Sequence, residues 1–250
     1  MHLSSLLHSN ALVRCLGLAL AVALPTWVPE VQAGAFSVAP VRIHMTSRER
    51  VVAVSIANEG ETEVALQADL NTWRQLPDGT DELQATEDLI LAPPIIRLAP
   101  KARQVVRLAL LRPADAQRQL TYRLIVREIP EITQAKDQTI QVPITLALSM
   151  PVFVTPPNAR RLVTCEVQRP DLKTLGSLCH NTGNAYAQVR EVIWRRDDQE
   201  LARFNGGVYI LPDARKLMQA EAGPLATPGP AQMEIHFDDG TSQTQAVQLP

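Results

Sequence analysis

The sequence predicts an all-β protein of two sandwiches, and three observations carry that expectation. Apolar and polar residues alternate with period two through most of the chain, as on half-buried strands. Gly, Pro, Asn and Asp punctuate these runs at short intervals, with 19 prolines against only 11 glycines. A stiff polar break, Thr155-Pro156-Pro157-Asn158, divides the strand-rich sequence in two. The formal charge of −2 argues against a protein that binds nucleic acid by neutralising phosphates, and against a polybasic membrane-surface protein.

Residues 1–33 read as a secretory signal. His2, His8 and Arg14 form a weakly basic lead, and Cys15 to Leu24 is an unbroken apolar run. That run falls short of the roughly 20 apolar residues that span a bilayer. Val31-Gln32-Ala33 then offers small residues at the positions that precede cleavage, so removal after Ala33 is expected. No second apolar run of spanning length follows, and no membrane insertion of the mature chain is expected.

In the first half, Val52, Val54 and Ile56 alternate with their neighbours up to a turn at Asn58-Glu59-Gly60. Val64, Leu66, Ala68 and Leu70 form the next strand, and Pro77-Asp78-Gly79 the next turn, with Pro presetting φ and Gly allowing a positive one. Ile90 to Ile96 is apolar but broken at Pro93-Pro94, as where a strand crosses between sheets. Val106, Leu108 and Leu110 alternate, as do Tyr122, Leu124 and Val126. Ile140, Val142, Ile144, Leu146, Leu148 and Met150 make the longest alternation. About seven strands within about 120 residues match an immunoglobulin-like sandwich. A second strand-rich stretch covers Leu162–Val167, Ala187–Trp194, Leu201–Phe204, Val208–Leu211, Met233–Phe237 and Thr244–Leu249. The expected architecture is two immunoglobulin-like domains, 34–155 and 156–250, joined at an angle by a short Pro-Pro hinge, with no obvious repeat between them. Trp73 and Trp194 fit one core aromatic per domain.

No enzyme is expected. The sequence holds no HExxH, GxSxG or phosphate-cradling Gly loop, so no catalytic residue and no cofactor is assigned. His44, His180 and His236 are far apart and lack metal spacing. Asp238-Asp239-Gly240 reads as a turn, since the alternating acidic ligands of a calcium loop are missing. The two cysteines beyond the signal, Cys165 and Cys179, form an even pair in an exported chain and suggest a disulfide. Closing a loop of about 15 residues would contribute about 3 kcal/mol.

The segment Thr139 to Met150 is unusually long for a strand, and its alternation alone fits a core strand or a strand kept to pair with another protein. Pro143 favours a sheet edge, because it lacks a ladder donor.

Over nearly the whole exported chain these residues resemble the periplasmic chaperones of chaperone–usher pilus assembly. FSVAPVRIHM at the start, WRQLPDGTDEL from Trp73, DLILAPPIIRLAPKARQVVRL from Asp88 and VREIP at Val126 to Pro130 carry the resemblance through the first domain. The long alternating strand follows VREIP and ends in SMPVFVTPP, and NTGNAYAQV from Asn181 and GGVYILP from Gly206 extend the resemblance into the second domain. The archaic-like branch of the family fits best.

The resemblance implies a periplasmic chaperone that captures, folds and caps pilus subunits and passes them to an outer-membrane usher. The subunit lacks its last strand, and the chaperone lends its own: main-chain bonds supply affinity and alternate side chains fill pockets. The donor side chains implied are Ile140, Val142, Ile144, Leu146 and Leu148. Arg42 matches the family position that anchors the subunit's C-terminal carboxylate, a task suited to a guanidinium fork. The family's second anchor, a Lys late in the donor strand, has no counterpart here, where Ser149-Met150-Pro151 stands. Arg123 or Arg127 could replace it, and Arg123 is preferred. Glu128 and Asp238 resemble the family's interdomain salt-bridge acids; Thr155 stands where a basic partner is usual, and Arg160 or Arg161 could substitute. Cys165 and Cys179 would link the first two strands of the second domain. Some family members pair their donor strands when idle, which would cover the edge by self-association. The alternative reading is an exported two-domain adhesion or binding module, which would need neither a spare alternating strand nor a carboxylate anchor.

Overall fold

The computed structural model describes residues 36–130, 145–223 and 226–250. The expected signal, the donor residues Ile140, Val142 and Ile144, and Pro143 lie outside the described residues. The described residues form one compact unit. The described residues hold seventeen strands and no helix.

The first sandwich has two sheets. One is β1 (Phe36–Ala39), β3 (Val51–Asn58), β8 (Arg103–Leu110) and β6 (Leu89–Ala92), in that spatial order. The other is β2 (Ile43–Met45), β10 (Ala147–Val154), β9 (Leu120–Glu128), β4 (Val64–Gln75) and β5 (Asp81–Ala85), with β7 (Ile95–Leu98) also on β4. The chain changes sheets at two proline-bearing points. FSVAPVRIHM divides at Pro40 into β1 and β2, and the run from Leu89 divides at Pro93-Pro94 into β6 and β7. The second crossing is the one the sequence marks; the first was not marked.

The second sandwich pairs β11 (Val163–Asp171), β12 (Thr174–Asn181) and β15 (Arg215–Glu221) in one sheet. The other holds β14 (Gln199–Ile210), β13 (Ala187–Arg196), β16 (Gly229–Phe237) and β17 (Ser242–Leu249). Cys165 and Cys179 face each other across β11 and β12 and are bonded. Strands β5 and β15 were not expected, and β12 only from the family resemblance, as the second strand that the disulfide would link. β5 (DELQA) is mostly exposed, β15 (RKLMQAE) is largely polar, and a glycine interrupts β12, so none shows a clean apolar period. Conversely, Gly206-Gly207 does not break β14, whose pairing with β13 continues on both sides of them.

Parity along each strand decides which core a side chain enters. On β4, Leu66 and Ala68 point into the first core with Val54, Val106, Leu124 and Val152. Trp73 is odd where these are even, and it joins the second core with Phe153, Trp194 and Met233. The expectation of one core tryptophan per domain therefore holds for Trp194 only. Trp73 and Phe153 are side chains of the first sandwich buried among those of the second, and the two cores meet there.

Each sandwich also carries a buried asparagine at a strand end. Asn58 donates to the carbonyls of Thr62, Leu98 and Ala99 and accepts from Gly60 N–H. Asn181 donates to the carbonyls of Ala185 (2.7 Å) and Ile210 (3.0 Å) and accepts from Leu162 N–H and Gly183 N–H. The same Asn-x-Gly device thus closes a corner in both halves.

The β4–β5 hairpin docks on the second sandwich. Gly79 turns it at φ +84°, and a Cβ there would sit 2.9 Å from Arg215 O and 3.1 Å from the Lys216 side chain. Lys216 Nζ donates to Gly79 O, while Gln75 bonds both Tyr209 O and Leu211 N–H. Gly79→Ala is expected to lower stability by about 1–2 kcal/mol from the left-handed backbone alone. A loss below 0.5 kcal/mol in urea titration would show that the hairpin tip takes a Cβ without strain.

Candidate functional site

Two features of the second sheet converge: an open strand edge and a group of cations and aromatic rings at its root. β10 runs antiparallel to β9 over its whole length, but its other neighbour, β2, reaches only Val152–Val154. Leu146 O accepts from Glu128 N–H, so even-numbered residues of β10 turn their backbone groups to β9. Thr155 N–H reaches Met45 O, so odd-numbered residues turn theirs the other way. Between Ala147 and Pro151 that outer side carries no strand among the described residues. The N–H and C=O of Ala147 and Ser149 therefore face an open edge, and Pro151, which has no N–H to present, sits where β2 begins.

The even side chains of the same segment grade from core to surface. Met150, Val152 and Val154 are buried in the first core, whereas Leu146 and Leu148 are only half-buried against it. The two readings of the long alternation are thus consecutive rather than exclusive. Its C-terminal end is a core strand, and toward residue 146 the same comb emerges at an edge.

On the opposite face, odd side chains of β4, β9 and β10 lie in rows. Asn71, Arg123 and Pro151 form one row, and Asp69, Ile125 and Ser149 the next. Arg127 is paired with Asp69 at 2.6 Å. Arg123 is not paired: it has no hydrogen bond or ion pair among the described residues. Its guanidinium lies 3.7 Å from the centre of the Trp73 ring and 5.8 Å from that of Tyr209. Burial pushes its pKa below the ordinary arginine value, against the raising influence of Asp81 and Tyr209. Arg123 is thus a partly desolvated cation stacked on an indole, without a carboxylate. Between the two arginines considered as the second anchor, the geometry leaves Arg123 available.

Arg42 is differently placed. Its Nη1 donates to Tyr186 Oη at 3.1 Å and to Asp238 Oδ2, and its Nη2 to Gln188 Oε1. All three acceptors belong to the second sandwich. Burial is the largest single influence on its pKa and lowers it, but Asp238 and the two tyrosines leave it raised overall. Around it Phe153 stacks on Tyr186 at 4.0 Å, and Tyr209 meets Trp73 edge-on at 5.3 Å. His44, also on the face of β2 away from the first core, lies 5.8 Å from Phe153. Burial, then Arg42, holds its imidazole below the ordinary histidine value. The sequence singled out neither His44, Tyr186 nor Gln188 for this group; an aromatic or amide at an even position, where the neighbouring core residues of β2 and β13 are odd, is the only signal they offer.

Of the two acids expected in an interdomain salt bridge, Asp238 forms one, and with Arg42 rather than Arg160 or Arg161. Glu128 is six residues along β9 from Tyr122, which lies opposite Val152, so it stands about 20 Å from this end of the sheet. It has no ion pair among the described residues. Arg161, considered as a substitute partner, grips Asp239 instead, with both nitrogens on both oxygens (2.7 and 3.2 Å), and holds that carboxyl well below the usual range. Asp238-Asp239-Gly240 forms the β16–β17 turn, with Gly240 at φ +81°. Among the described residues no group of His, Cys, Asp and Glu is placed to hold a metal.

The family model for pili and flagellar-assembly chaperones, PapD N-terminal domain, matches residues 35–160. No curated protein matches the chain in sequence. Among solved structures the chain is similar to the CsuC–CsuE chaperone–tip adhesion subunit pre-assembly complex from archaic chaperone–usher Csu pili of Acinetobacter baumannii. That likeness has 18% identity and a TM-score of 0.61, and covers 85% of this chain and 97% of the other. The YadV chaperone is similar at 15% identity and TM-score 0.60, over 86% of this chain and all of that one (100%). The Salmonella enterica SafA pilin in complex with the SafB chaperone is similar at 12% identity and TM-score 0.56, over 87% and 96%. At such identities the likeness is one of fold.

Proposed function

The chain belongs to the pili and flagellar-assembly chaperones, and on that premise we propose that it captures pilus subunits in the periplasm by lending them a strand. Residues 1–33 direct export and are removed, and 34–155 and 156–250 act as two immunoglobulin-like domains. The donor comb is Ile140, Val142, Ile144, Leu146 and Leu148. The observation that carries the reading is the open outer side of β10, with half-buried Leu146 and Leu148 on a strand otherwise packed into the core. Main-chain groups at Ala147 and Ser149 offer pairing to an incoming strand, and apolar side chains offer burial worth about 1.5–3 kcal/mol each before ordering costs.

At the root of that edge, Arg123 receives the subunit's C-terminal carboxylate, with Arg42 as the second cation. Arg123 stands directly across from Pro151, one strand spacing of about 5 Å from the edge strand. A terminus laid along the edge would therefore reach a guanidinium that has no carboxylate partner among the described residues. An outer-membrane usher then takes the capped subunit. The chaperone performs no catalysis, and folding of the subunit supplies the driving force.

Co-expression in the periplasm with a candidate pilus subunit, followed by co-purification, tests the reading. A one-to-one complex is expected for the wild type and lost in Ile144→Asp, with the free variant's thermal unfolding unchanged. Complexes indifferent to that substitution, or none with several subunits, would point instead to an adhesion module.

A further inference from the structure

Arg42 combines two properties that conflict in a carboxylate receptor. It stands beside the open edge, yet its donors are already spent on acceptors of the second sandwich: Asp238, Gln188 and Tyr186. Asp238 is held for this task. Its own N–H bonds Gln188 O at 3.1 Å, and its side chain is 12% exposed against 28% for Arg42. Its neighbour Asp239 is taken by Arg161 and does not compete.

We propose that Asp238 is an internal stand-in for the ligand carboxylate, so that Arg42 is masked in the free chaperone and engages a subunit terminus only by exchanging Asp238 for it. The proposal rests on the carboxylate-anchor reading above and adds an order of events. Arg123, without an ion pair among the described residues, takes the terminus first. Arg42 follows by exchange, and that exchange frees one of the ties between the sandwiches. One carboxylate replaces another on the same guanidinium, so no buried cation is left bare, and the displaced Asp238, 12% exposed while paired, turns out to solvent as the tie between the sandwiches opens. A ligand ending in an amide could not drive it.

The test titrates the full chain with N-acetylglycine, a minimal C-terminal carboxylate, while following the guanidinium Nε–Hε signals of Arg42 and Arg123 by NMR. N-acetylglycinamide is the control. In the wild type the Arg123 signal is expected to move at lower concentration than that of Arg42, and neither should respond to the amide. In Asp238→Asn, Arg42 is expected to half-saturate at about one fifth of the wild-type concentration, the equivalent of a partly exposed ion pair. Asp239→Asn, equal in charge change, should leave Arg42 as in the wild type. Should Asp238→Asn fail to fold, Tyr186→Phe removes one acceptor and keeps the ring, and a smaller shift in the same direction is expected. Equal half-saturation of Arg42 in the wild type and these variants, or an equal gain in Asp239→Asn, would overturn the masking. Silence of Arg123 would instead count against the anchor reading itself, because its response does not depend on Asp238.

Discussion

Asn181→Ala is expected to destabilise the protein by about 3–4 kcal/mol. The side chain is fully buried and satisfies four backbone groups at once: two carbonyls, of Ala185 and Ile210, and two N–H groups, of Leu162 and Gly183. Alanine strands all four, at about 1–3 kcal/mol for each group that finds no water. The sum is smaller than four such losses because the corner can open and hydrate. Urea titration should show a lower midpoint with an unchanged slope. For a protein of this size the melting temperature should fall by about 6–16 °C. Asn181→Asp, equal in shape, keeps the acceptor but loses both donors and sets a charge against two carbonyls, so it should be no milder. A loss below 1 kcal/mol in both variants would mean that the corner is not held by this residue. The consequence reaches the site, since the loop that Asn181 closes leads into Tyr186. Tyr186 N–H bonds Gln119 Oε1, and its ring and hydroxyl hold Arg42.

How much of this could be read beforehand depended on the range of each interaction. The alternating strands and the crossing at Pro93-Pro94 are local, and they were legible. So was the unusual length of the alternation that ends in β10. Trp73 was legible in principle: its odd position on a strand whose core residues are Leu66 and Ala68 already excludes it from the first core. The partner of Arg42 was not, because Asp238 lies 196 residues away and nothing between them fixes which acid of Asp238-Asp239 faces which arginine. Asn58 was read only as part of a turn and Asn181 only as the start of a resembling stretch, because asparagine is seldom buried and only the closed corner shows that it is fully bonded. Seen together, Asn58-Glu59-Gly60 and Asn181-Thr182-Gly183 are the repeat that the two halves did not otherwise display. The glycine is required in the second, where a Cβ on Gly183 would lie 2.3 Å from Arg160 O. Family resemblance marked Asp238 as an interdomain salt-bridge acid, and its pair with Arg42 does join the two sandwiches; what it did not give is the partner.

Arg123→Met should move stability and function in opposite directions. Methionine keeps the length and much of the contact with the Trp73 ring, but removes a partly desolvated charge that has no counter-ion among the described residues. The free protein should therefore unfold at the same temperature or slightly higher. Capture of a pilus subunit should fall by roughly 30-fold or more, the usual loss when one partner of a buried charge pair is truncated. Arg123→Lys should recover little of it, since an ammonium neither stacks flat on an indole nor grips both oxygens. A subunit whose terminal carboxylate is blocked as an amide should bind the wild type about as weakly as the native subunit binds Arg123→Met, with little further loss when the two changes are combined. That non-additivity is the signature of direct contact. If Arg123→Met melts well below the wild type and binds subunits normally, the guanidinium is a fixture of the Trp73–Phe153 junction, and the carboxylate must be held elsewhere along the edge.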